Sequence, residues 1–541
     1  MFQKSNTYKS IDKLIILVLL FVHLTPLYTN DYFLTQDSPS HLYNGYVLKS
    51  ILSSDNYLLS EYFTFQFSFS PNLVSTLLYT VFSFIFSQQI TYVLIHIIIW
   101  VLLPFSVYYL LIFNRKENGF LTVFVFPFLY SFPFILGFDS FCLGLSLALL
   151  LYGFWLRNRA LTQTKVALLI SFLAMLLFFT HLVAACFFLI IVGVNIFISV
   201  AKSIYYKEKK LNQAIKQFLI EWVVFLPLIS FLLIYMLGLD SASYEISVLT
   251  SDFNFEKLIK MDDLILFWSA EEGKFLKYLA ITLLLVCGFS ILLSFAQHTN
   301  KQINRATINW FTVILFLFLY FVVPDAMAGG SFISNRLILI FFITLIIASG
   351  NVQFPKVLKY SIFTVGVYLS LELYQHKSPY FERFDSEIGK FMTVLDHVEE
   401  SSTLLYLNYH PSGVDESGQA ISYGKGLFHH ALGFISYHKK DIVLLKNYET
   451  YHSYFPVKWK EAMSPNQFLS CVPFAMSNNP PCVDFNKFNK KDRGVDYVFV
   501  YKHPDKELND ENSKKIWEYI YLEYKLIAQE KSGIIKLYKK I

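Results

Sequence analysis

An acidic residue and a histidine follow the first apolar segment of the chain. That segment runs from Leu14 to Tyr28, and Asp31, Asp37 and His41 come directly after it. A charged side chain beside a membrane is unfavourable unless it is used, so its presence there predicts a functional site. An ionised, partly desolvated carboxylate can act as a general base toward a hydroxyl group. The sequence therefore predicts acid–base chemistry at Asp37, with His41 about one helical turn further on.

The residues around Asp37 are also typical of a helix start. Pro39 suits the first helical position and Ser38 suits the N-cap. The pattern predicts an amphipathic helix to about Leu52, lying along the membrane surface. The helix dipole would then favour the ionised form of Asp37. The alternative interpretation is that Asp37 only caps this helix.

A second cluster of interest ends at Arg336. A short polar loop containing Asp325, Gly329 and Gly330 precedes it, and Arg336 opens the next apolar segment. Basic residues are disfavoured on the outer side of a membrane, so Arg336 requires an anionic partner. Phosphate is one candidate, because a guanidinium binds it through two parallel hydrogen bonds. The other candidate is an ion pair with Asp325 or another acidic residue of the loop.

Two more polar residues stand at the ends of apolar segments. Asp139 precedes the apolar segment 140–156, and His181 interrupts the apolar stretch 166–201. Aspartate is common at helix N-caps, so capping is the preferred interpretation of Asp139. A packing role is preferred for His181. Both residues are retained as candidates for lining a substrate site.

The polar end of the chain contains a group of histidines: His429, His430, His438 and His452. Their spacing fits no zinc pattern, and acidic ligands are not arranged around them. We interpret His429, His430 and His438 as the polar face of a surface helix over residues 424–438. Tyr448 and Glu449 are weaker candidates for contact with a ligand. The sequence predicts no cofactor, and it gives no support for a divalent metal.

The composition shows what must position these residues. The chain has 541 residues, of which 55% are hydrophobic and 16% charged. Soluble domains have roughly a quarter of charged residues, so this is an integral membrane protein. Apolar segments near the roughly 20 residues of a membrane span predict about 11–13 transmembrane helices. The net charge of +5 is small and dispersed, which argues against a nucleic-acid partner.

Basic clusters predict the topology. Lys13, Arg157 and Lys359 mark cytoplasmic ends, whereas the acidic loop from Asp240 to Glu272 and the polar tail face outward. No cleavage site follows the first segment, which is therefore retained. One conflict remains. If Lys13 and Arg115 are both cytoplasmic, the chain between residues 30 and 114 must cross the membrane an odd number of times, but it contains two apolar runs. Either one run is half-length or re-entrant, or the loop at Arg115 breaks the charge rule.

The chain changes character after Leu373, which predicts two domains. Residues 1–375 would form the membrane domain, with a first outer loop over 29–71, and residues 376–541 an extracytoplasmic α/β domain. Expected strands cover 402–408, 442–445 and 497–501, with a hairpin over 525–538, and expected helices cover 381–400, 424–438 and 512–524. Cys471 and Cys482 bound a proline-flanked loop, which favours a disulfide in an oxidising compartment over two unrelated thiols.

The whole arrangement resembles the GT-C glycosyltransferases, which include protein O-mannosyltransferases and aminoarabinose transferases. The similarity rests on the first-loop motif Asp37-Ser-Pro-Ser-His41, on Gly137-Phe-Asp139-Ser-Phe, on His181 and on Gly-Gly-Ser-Phe-Ile-Ser-Asn-Arg336. It extends over most of the membrane part in architecture. The resemblance implies a GT-C-like fold in a bacterial cytoplasmic membrane, with chemistry on the outer face and a role in the cell envelope.

The resemblance also implies roles for individual residues. GT-C enzymes move a sugar from a polyprenyl-phosphate carrier to a glycan, lipid or protein acceptor, usually with inversion. Asp37 would then deprotonate or orient the acceptor hydroxyl, Arg336 would neutralise the departing phosphate, and His41 would hydrogen-bond acceptor or phosphate. The first loop lacks the Asp-x-Asp of metal-dependent members. A metal is therefore not expected.

Two other functions fit a chain with many spans. A polysaccharide polymerase or ligase also handles polyprenyl-linked glycans, but it usually places its large loop between late spans. A transporter or flippase of lipid-linked glycans often shows internal repeats, and none is visible here. The early loop and the C-terminal domain favour the glycosyltransferase.

Overall fold

The computed structural model describes the chain except for residues 1–3, 160–162, 208–209, 239–254, 262–263, 266–271, 298–307, 328–329, 416, 423–425, 472–475, 477–479, 490–493 and 503–510. Most of the acidic loop predicted between Asp240 and Glu272 lies outside the described residues, as does Gly329.

The described chain divides into two compact units. The first comprises Met1–Thr25 and Ile97–Lys377, and the second comprises Pro26–His96 and Ser378–Ile541. The boundary at residue 377 lies close to the expected one at residue 375. The segment after the first apolar stretch departs from expectation, because it belongs with the C-terminal tail rather than with the membrane segments.

The α-helices in chain order are α1 Lys4–Thr29, α2 Ser38–Ser53, α3 Tyr57–Tyr62, α4 Leu73–Ile85, α5 Gln88–Asn114, α6 Phe132–Ile135, α7 Asp139–Arg157, α8 Thr164–Thr180, α9 Leu182–Tyr205, α10 Leu211–Val223, α11 Leu226–Leu237, α12 Phe255–Lys260, α13 Glu272–Ala296, α14 Trp310–Val322, α15 Ile333–Ser349, α16 Lys356–Leu395, α17 Pro465–Phe468, α18 Phe485–Asn489 and α19 Glu511–Glu523. The strands are β1 Phe63–Phe65, β2 Thr403–Asn408, β3 Val443–Leu444, β4 Val457–Trp459, β5 Tyr497–Tyr501, β6 Tyr524–Gln529 and β7 Ile535–Lys540.

Several helices can cross a membrane. Among the described residues, five are long and apolar enough, in α1, α5, α7, α9 and α13, and the bent pair α10–α11 makes up to six. The protein is therefore a polytopic helical membrane protein. Four shorter apolar helices, α4, α8, α14 and α15, do not reach this length. The number of full-length spans found is thus below the expected 11–13.

One expected span has a different structure. The apolar run over 120–138 forms the 3₁₀ helices Lys116–Phe124 and Phe126–Tyr130 and the short helix α6. Almost all of its side chains are buried. Pro127 and Pro133 lack the backbone N–H that a continuous helix would use, which explains why the run is broken. Apolar composition predicted a membrane span for this run, because composition does not distinguish a continuous helix from a buried, broken one.

The length of α4 bears on the conflict in the predicted topology between residues 30 and 114. Helix α4 has 13 residues, about 20 Å at 1.5 Å per residue, whereas the hydrocarbon core is about 30 Å thick. Lys13 and Lys116 line the same cavity of the first unit, together with Arg157 and Lys359. These basic residues therefore lie at one end of that unit. This agrees with the alternative in which one of the two early apolar runs is half-length.

The second unit is built on a mixed five-stranded sheet with the strand order β3-β2-β5-β7-β6. Strand β2 pairs in parallel with β3 and β5, whereas β7 pairs antiparallel with β5 and β6. Strands β2 and β5 are buried along their whole length, as is usual for strands covered on both faces. The predicted strands and the C-terminal hairpin are confirmed within one or two residues.

Of two other predictions for the tail, one differs from the structure and one is confirmed. The expected helix over 424–438 is a 3₁₀ helix, Leu427–Tyr437. Cys471 and Cys482 form the expected disulfide.

Helix α2 lies inside the second unit. All residues from Ser38 to Leu48 are buried, so the predicted surface location on the membrane is wrong. The helix packs between α4 and the Leu427–Tyr437 segment. Gly45 permits the approach to α4, since a Cβ there would lie 2.4 Å from the Tyr79 Cβ. The apolar face read from the sequence is therefore a packing face.

Polar contacts attach α2 and its neighbours to the sheet. The Tyr43 hydroxyl donates to the Ile442 carbonyl at 2.8 Å and accepts from the Leu444 N–H at 3.0 Å. The amides of Asn44 and Asn447 bond to each other reciprocally, at 3.1 and 2.8 Å. Strand β1 pairs antiparallel with β4. These contacts explain why residues 26–96 form one unit with the tail.

Candidate functional site

Asp37 faces a histidine of the C-terminal tail within the second unit. The Asp37 Oδ1 atom lies 3.8 Å from the His430 Nε2 atom, and both side chains are largely buried. Asp37 occupies the N-cap position of α2, but its side chain makes no capping hydrogen bond. Its Oδ1 also accepts a hydrogen bond from the Gln36 side-chain amide at 3.2 Å. The cap is one residue earlier than predicted, and capping by the side chain does not account for this carboxylate.

His430 stands at an irregular point of the backbone. It lies inside the Leu427–Tyr437 segment, but its own φ of −120° and ψ of 17° are not helical. The kink orients the ring over Tyr448, with the ring centroids 4.4 Å apart. Gly433 lets this segment approach the start of α2, because a Cβ there would lie 2.1 Å from the Pro39 carbonyl oxygen. Close backbone packing therefore brings His430 to Asp37.

A second acid–histidine pair lies in the same unit. His41 Nδ1 is 2.9 Å from Glu449 Oε1, and Glu449 is fully buried. The other carboxylate oxygen, Glu449 Oε2, is buried without a hydrogen-bond partner among the described residues. A buried carboxylate oxygen without a donor is unfavourable, which is typical of groups retained for binding or catalysis. The expectation that His41 contacts the acceptor stays a prediction.

A small cleft opens beside these pairs. Its volume of about 20 Å³ holds about one water molecule. The lining residues are Ser40, Tyr43, Leu404, Tyr406, His429, His430, Leu432, Gly433, Leu444, Lys446 and Asn447. Lys446 is only 7% exposed and its Nζ lies 5.7 Å from the centre of the Tyr406 ring. The cleft thus combines two imidazoles and an amine with little access to bulk water.

Burial changes the protonation of these groups. It lowers the pKa of Lys446 to about 7 and, with the charge of Lys446, the pKa of His429 to about 4. Burial and the neighbouring His429 and Lys446 hold the pKa of His430 well below its ordinary value. His430 is therefore a neutral imidazole at neutral pH. A neutral imidazole beside a carboxylate can accept or relay a proton through one water molecule.

The sequence interpretation missed the histidines of this site. His429 and His430 were expected on the polar face of a surface helix, whereas in the structure both are partly buried and line the cleft. A signal was present, since Phe428 and Ala431-Leu432-Gly433-Phe434 surround the pair with apolar residues. A histidine pair inside an apolar run is atypical of an exposed face.

The other three predicted residues lie in the first unit and come together around two phenylalanines. The Arg336 guanidinium lies 4.6 Å from the centre of the Phe138 ring and 5.7 Å from that of Phe141. The His181 ring packs edge-on against Phe141 at 5.3 Å. Asp139 is the first residue of α7 and is buried. Spacing in the sequence gave no sign of this proximity.

The capping roles in the first unit differ in part from the predictions. His181 separates α8 from α9, as expected, and its Nδ1 accepts the Val183 N–H at 3.1 Å. Asp139 is not an N-cap, because Phe138 occupies that position. Asp325 Oδ1 accepts the N–H of Ser334 at 3.0 Å in the first turn of α15. Arg336 itself donates to the Ser331 carbonyl.

The predicted residues therefore fall into two groups. Asp37 and His41 lie in the second unit, and Asp139, His181 and Arg336 lie in the first. Among the residues that the structure describes, no group of three or more His, Cys, Asp or Glu side chains has a geometry suited to a metal ion. The chemistry available in the second unit is proton transfer and hydrogen bonding by two acid–histidine pairs and a buried lysine.

Comparisons with known proteins name no family. No protein-family model matches the sequence, and no curated protein matches it.

Proposed function

We propose that the protein is a membrane glycosyltransferase that moves a sugar from a polyprenyl-phosphate carrier to a hydroxyl of a glycan, lipid or protein acceptor. Asp37 acts as the general base of this reaction. It takes the proton of the acceptor hydroxyl while the acceptor oxygen bonds to the anomeric carbon of the sugar. The bond from that carbon to the phosphate oxygen breaks, the phosphate leaves with the bonding electrons, and the configuration inverts.

The observation that carries this proposal is the environment of Asp37. Its carboxylate is largely buried, faces the His430 ring at 3.8 Å and makes no capping bond to α2. A carboxylate held in this way, next to an imidazole of lowered pKa, is suited to proton transfer. The GT-C-like architecture is part of the proposal, and the polytopic helical fold with a C-terminal sheet is compatible with it.

Arg336 is assigned to the carrier phosphate. Its guanidinium lies against Phe138 and near Phe141 at the start of α15. Aromatic rings attract a guanidinium and orient its plane, and phosphate is one of its bidentate partners. Asp139 and His181 belong to the same cluster and are assigned to donor binding.

We place the reaction on the outer face of a bacterial cytoplasmic membrane, with the second unit on the extracytoplasmic side.

Two alternatives are tested by the same experiment. A polymerase or ligase of lipid-linked glycans would use a diphosphate-linked oligosaccharide as donor. A flippase would move a lipid-linked glycan without forming a glycosidic bond. A general base such as Asp37 serves bond formation directly, whereas in a transporter the same acid and histidines would serve as a proton relay.

The decisive experiment is an in vitro transfer assay with the purified full-length protein. Radiolabelled polyprenyl-phosphate hexoses and pentoses are the donors, and a membrane glycolipid extract supplies acceptors. We expect Asp37→Asn to lower the transfer rate by at least about 100-fold, as is usual for loss of a general base. Arg336→Ala should lower it by a similar factor, because the leaving phosphate loses its charge partner.

Matched controls separate catalysis from folding. Asp55→Asn removes an exposed acid from the same early segment, and Arg383→Ala removes an exposed arginine from α16. Both variants should retain the wild-type rate. Transfer by the wild type together with full activity of Asp37→Asn would refute the assigned base. Movement of labelled donor to the opposite leaflet without a new glycosidic bond would show that the protein is a flippase and not a transferase.

A further inference from the structure

The cavity of the first unit that Lys13, Lys116, Arg157 and Lys359 line contains none of the predicted site residues. Its volume is about 340 Å³, and it is lined by Asp12, Lys13, Ile16, Tyr108, Ile112, Lys116, Glu117, Gly119, Phe120, Arg157 and Lys359. This volume lies at the lower end of the range of about 300–1,000 Å³ found for ligand pockets. Neither the sequence motifs nor the proposed reaction uses this cavity.

The cavity has an excess of positive charge. Four of its lining side chains are basic and two are acidic. Both acids are already engaged, since Asp12 Oδ2 lies 2.6 Å from Lys359 Nζ and Glu117 Oε1 lies 3.8 Å from Arg115 Nη1. The net charge of the lining is therefore available to an anion from outside the protein.

Aromatic and aliphatic side chains complete the wall. Tyr108 and Phe120 are its aromatic residues, and the Lys359 Nζ atom lies 5.3 Å from the centre of the Phe120 ring. Ile16 and Ile112 line the same space and belong to the membrane-spanning helices α1 and α5. The cavity is thus basic and aromatic where the helices end and apolar along the spans.

Residues from four separate parts of the chain meet here. They come from the beginning of α1, the end of α5 with the 3₁₀ helix that follows it, the end of α7 and the beginning of α16. By the distribution of basic residues this end of the unit is the cytoplasmic one. Basic pockets between helix ends on that side are suited to the headgroups of anionic lipids.

We propose that this cavity binds the phosphate headgroup of an anionic phospholipid of the cytoplasmic leaflet. Lys13, Lys116 and Arg157 contact the headgroup, and the acyl chains follow Ile16 and Ile112 along α1 and α5. A free phosphate ion would use the basic residues but would leave the apolar wall in contact with water. The combination of both surfaces therefore favours a lipid. The bound lipid holds four chain segments together and stabilises the first unit.

The test uses the full-length protein purified in an uncharged detergent. Thermal unfolding and native mass spectrometry are recorded with added short-chain phosphatidylglycerol, with phosphatidylcholine of equal chain length, and with inorganic phosphate. We expect a saturable rise of the apparent Tm and retained lipid adducts with phosphatidylglycerol. Each basic residue near an anionic lipid adds a factor of about five to affinity, so Lys116→Gln with Arg157→Gln should weaken phosphatidylglycerol binding about thirtyfold.

The matched control removes the same charge elsewhere in the first unit. Lys165 and Lys356 are exposed first-turn residues of α8 and α16 outside the cavity lining. Lys165→Gln with Lys356→Gln should retain the wild-type response. If the cavity double variant does not fold, the single variant Lys13→Gln gives the same comparison, with a loss of about fivefold.

Three outcomes would overturn the proposal. Equal stabilisation by phosphatidylcholine would show that the headgroup charge is irrelevant. Equal stabilisation by inorganic phosphate would make the ligand a free anion. A cavity variant with an undiminished response to phosphatidylglycerol would place lipid binding elsewhere. The result does not depend on sugar transfer, because binding is measured without donor or acceptor.

Discussion

At the scale of single residues, burial decides the chemistry of the second unit. Lys446 and His429 line one cleft, where lack of water lowers the pKa of the amine to about 7 and that of the imidazole to about 4. The same residues on an exposed helix would titrate near their ordinary values. The proton transfer that we propose for Asp37 and His430 would depend on this dry environment.

The lowered pKa of His429 predicts how stability changes with acidity. In the unfolded chain the imidazole is protonated below about pH 6.5, whereas in the folded protein it stays neutral down to about pH 4. Between these values the unfolded state binds more protons, so the folded state loses stability as the pH falls through this window. His429→Gln should remove this loss, on the order of 1 to 3 kcal/mol.

Thermal unfolding of the full chain between pH 7 and pH 4 measures the effect. The apparent Tm of His429→Gln should fall less on acidification than that of the wild type. His397→Gln is the control, because His397 is exposed near the end of α16. Parallel pH profiles for the wild type and His429→Gln would contradict a buried neutral imidazole.

At the scale of elements, the candidate site depends on the position of helix α2. It carries Asp37 at its start and His41 in its first turn. Its position is fixed by close packing against α4 at Gly45 and by the Asn44–Asn447 amide pair. A helix buried on all sides tolerates little displacement, because well-packed interiors transmit any change in volume.

Two glycines test this packing directly. Both Gly45 and Gly389 lie inside helices, but a Cβ at Gly45 would meet Tyr79 at 2.4 Å, whereas at Gly389 it would meet nothing within 4 Å. Gly45→Ala should destabilise the protein by about 1–3 kcal/mol through overpacking. Gly389→Ala should stabilise it by up to about 1 kcal/mol, because alanine loses less backbone entropy on folding.

Opposite shifts of the apparent Tm for the two alanine variants are the expected outcome. In the transfer assay, Gly45→Ala should also lower the rate, because Asp37 and His41 move with α2. A Gly45→Ala variant as stable as the wild type would show that α2 is not held against α4.

At the scale of the whole molecule, the second unit is assembled from two distant parts of the chain. Residues 26–96 join residues 378–541, and the first unit lies between them in the sequence. The early segment contributes α2, α4 and β1, and the tail contributes the five-stranded sheet. The candidate site therefore forms only after the tail residues His430 and Glu449 have been synthesised. Such long sequence separations are associated with slow folding.

The disulfide of the tail predicts both a compartment and a stability. Cys471 and Cys482 are 11 residues apart, and closing a loop of that size stabilises a folded domain by about 3 kcal/mol in the chain-entropy model. Such bonds persist in oxidising compartments, in agreement with an outward-facing second unit.

Thiol labelling of the protein from intact cells, followed by mass spectrometry, measures this bond. We expect Cys471 and Cys482 to react only after reduction, and Cys471→Ser to lower the apparent Tm. Cys142→Ser is the control for loss of a thiol, because Cys142 is a free cysteine of the first unit. Full reactivity of both tail cysteines without reductant would contradict an extracytoplasmic location.

The sequence by itself determined the class of the protein and the outline of its tail. Apolar segments identified a membrane protein, and short runs rich in Leu, Val and Tyr at 402–408 and 497–501 located β2 and β5. Both signals arise from local composition. The position of Asp37 after the first apolar segment also indicated where to look for chemistry.

Only the tertiary structure decided which residues contact Asp37 and His41. His430 and Glu449 lie about 400 positions away along the chain, so no local pattern relates them to α2. Burial of α2 was equally invisible, because an apolar helix face is compatible with a membrane surface and with a protein interior. Long-range packing, rather than local preference, sets these features.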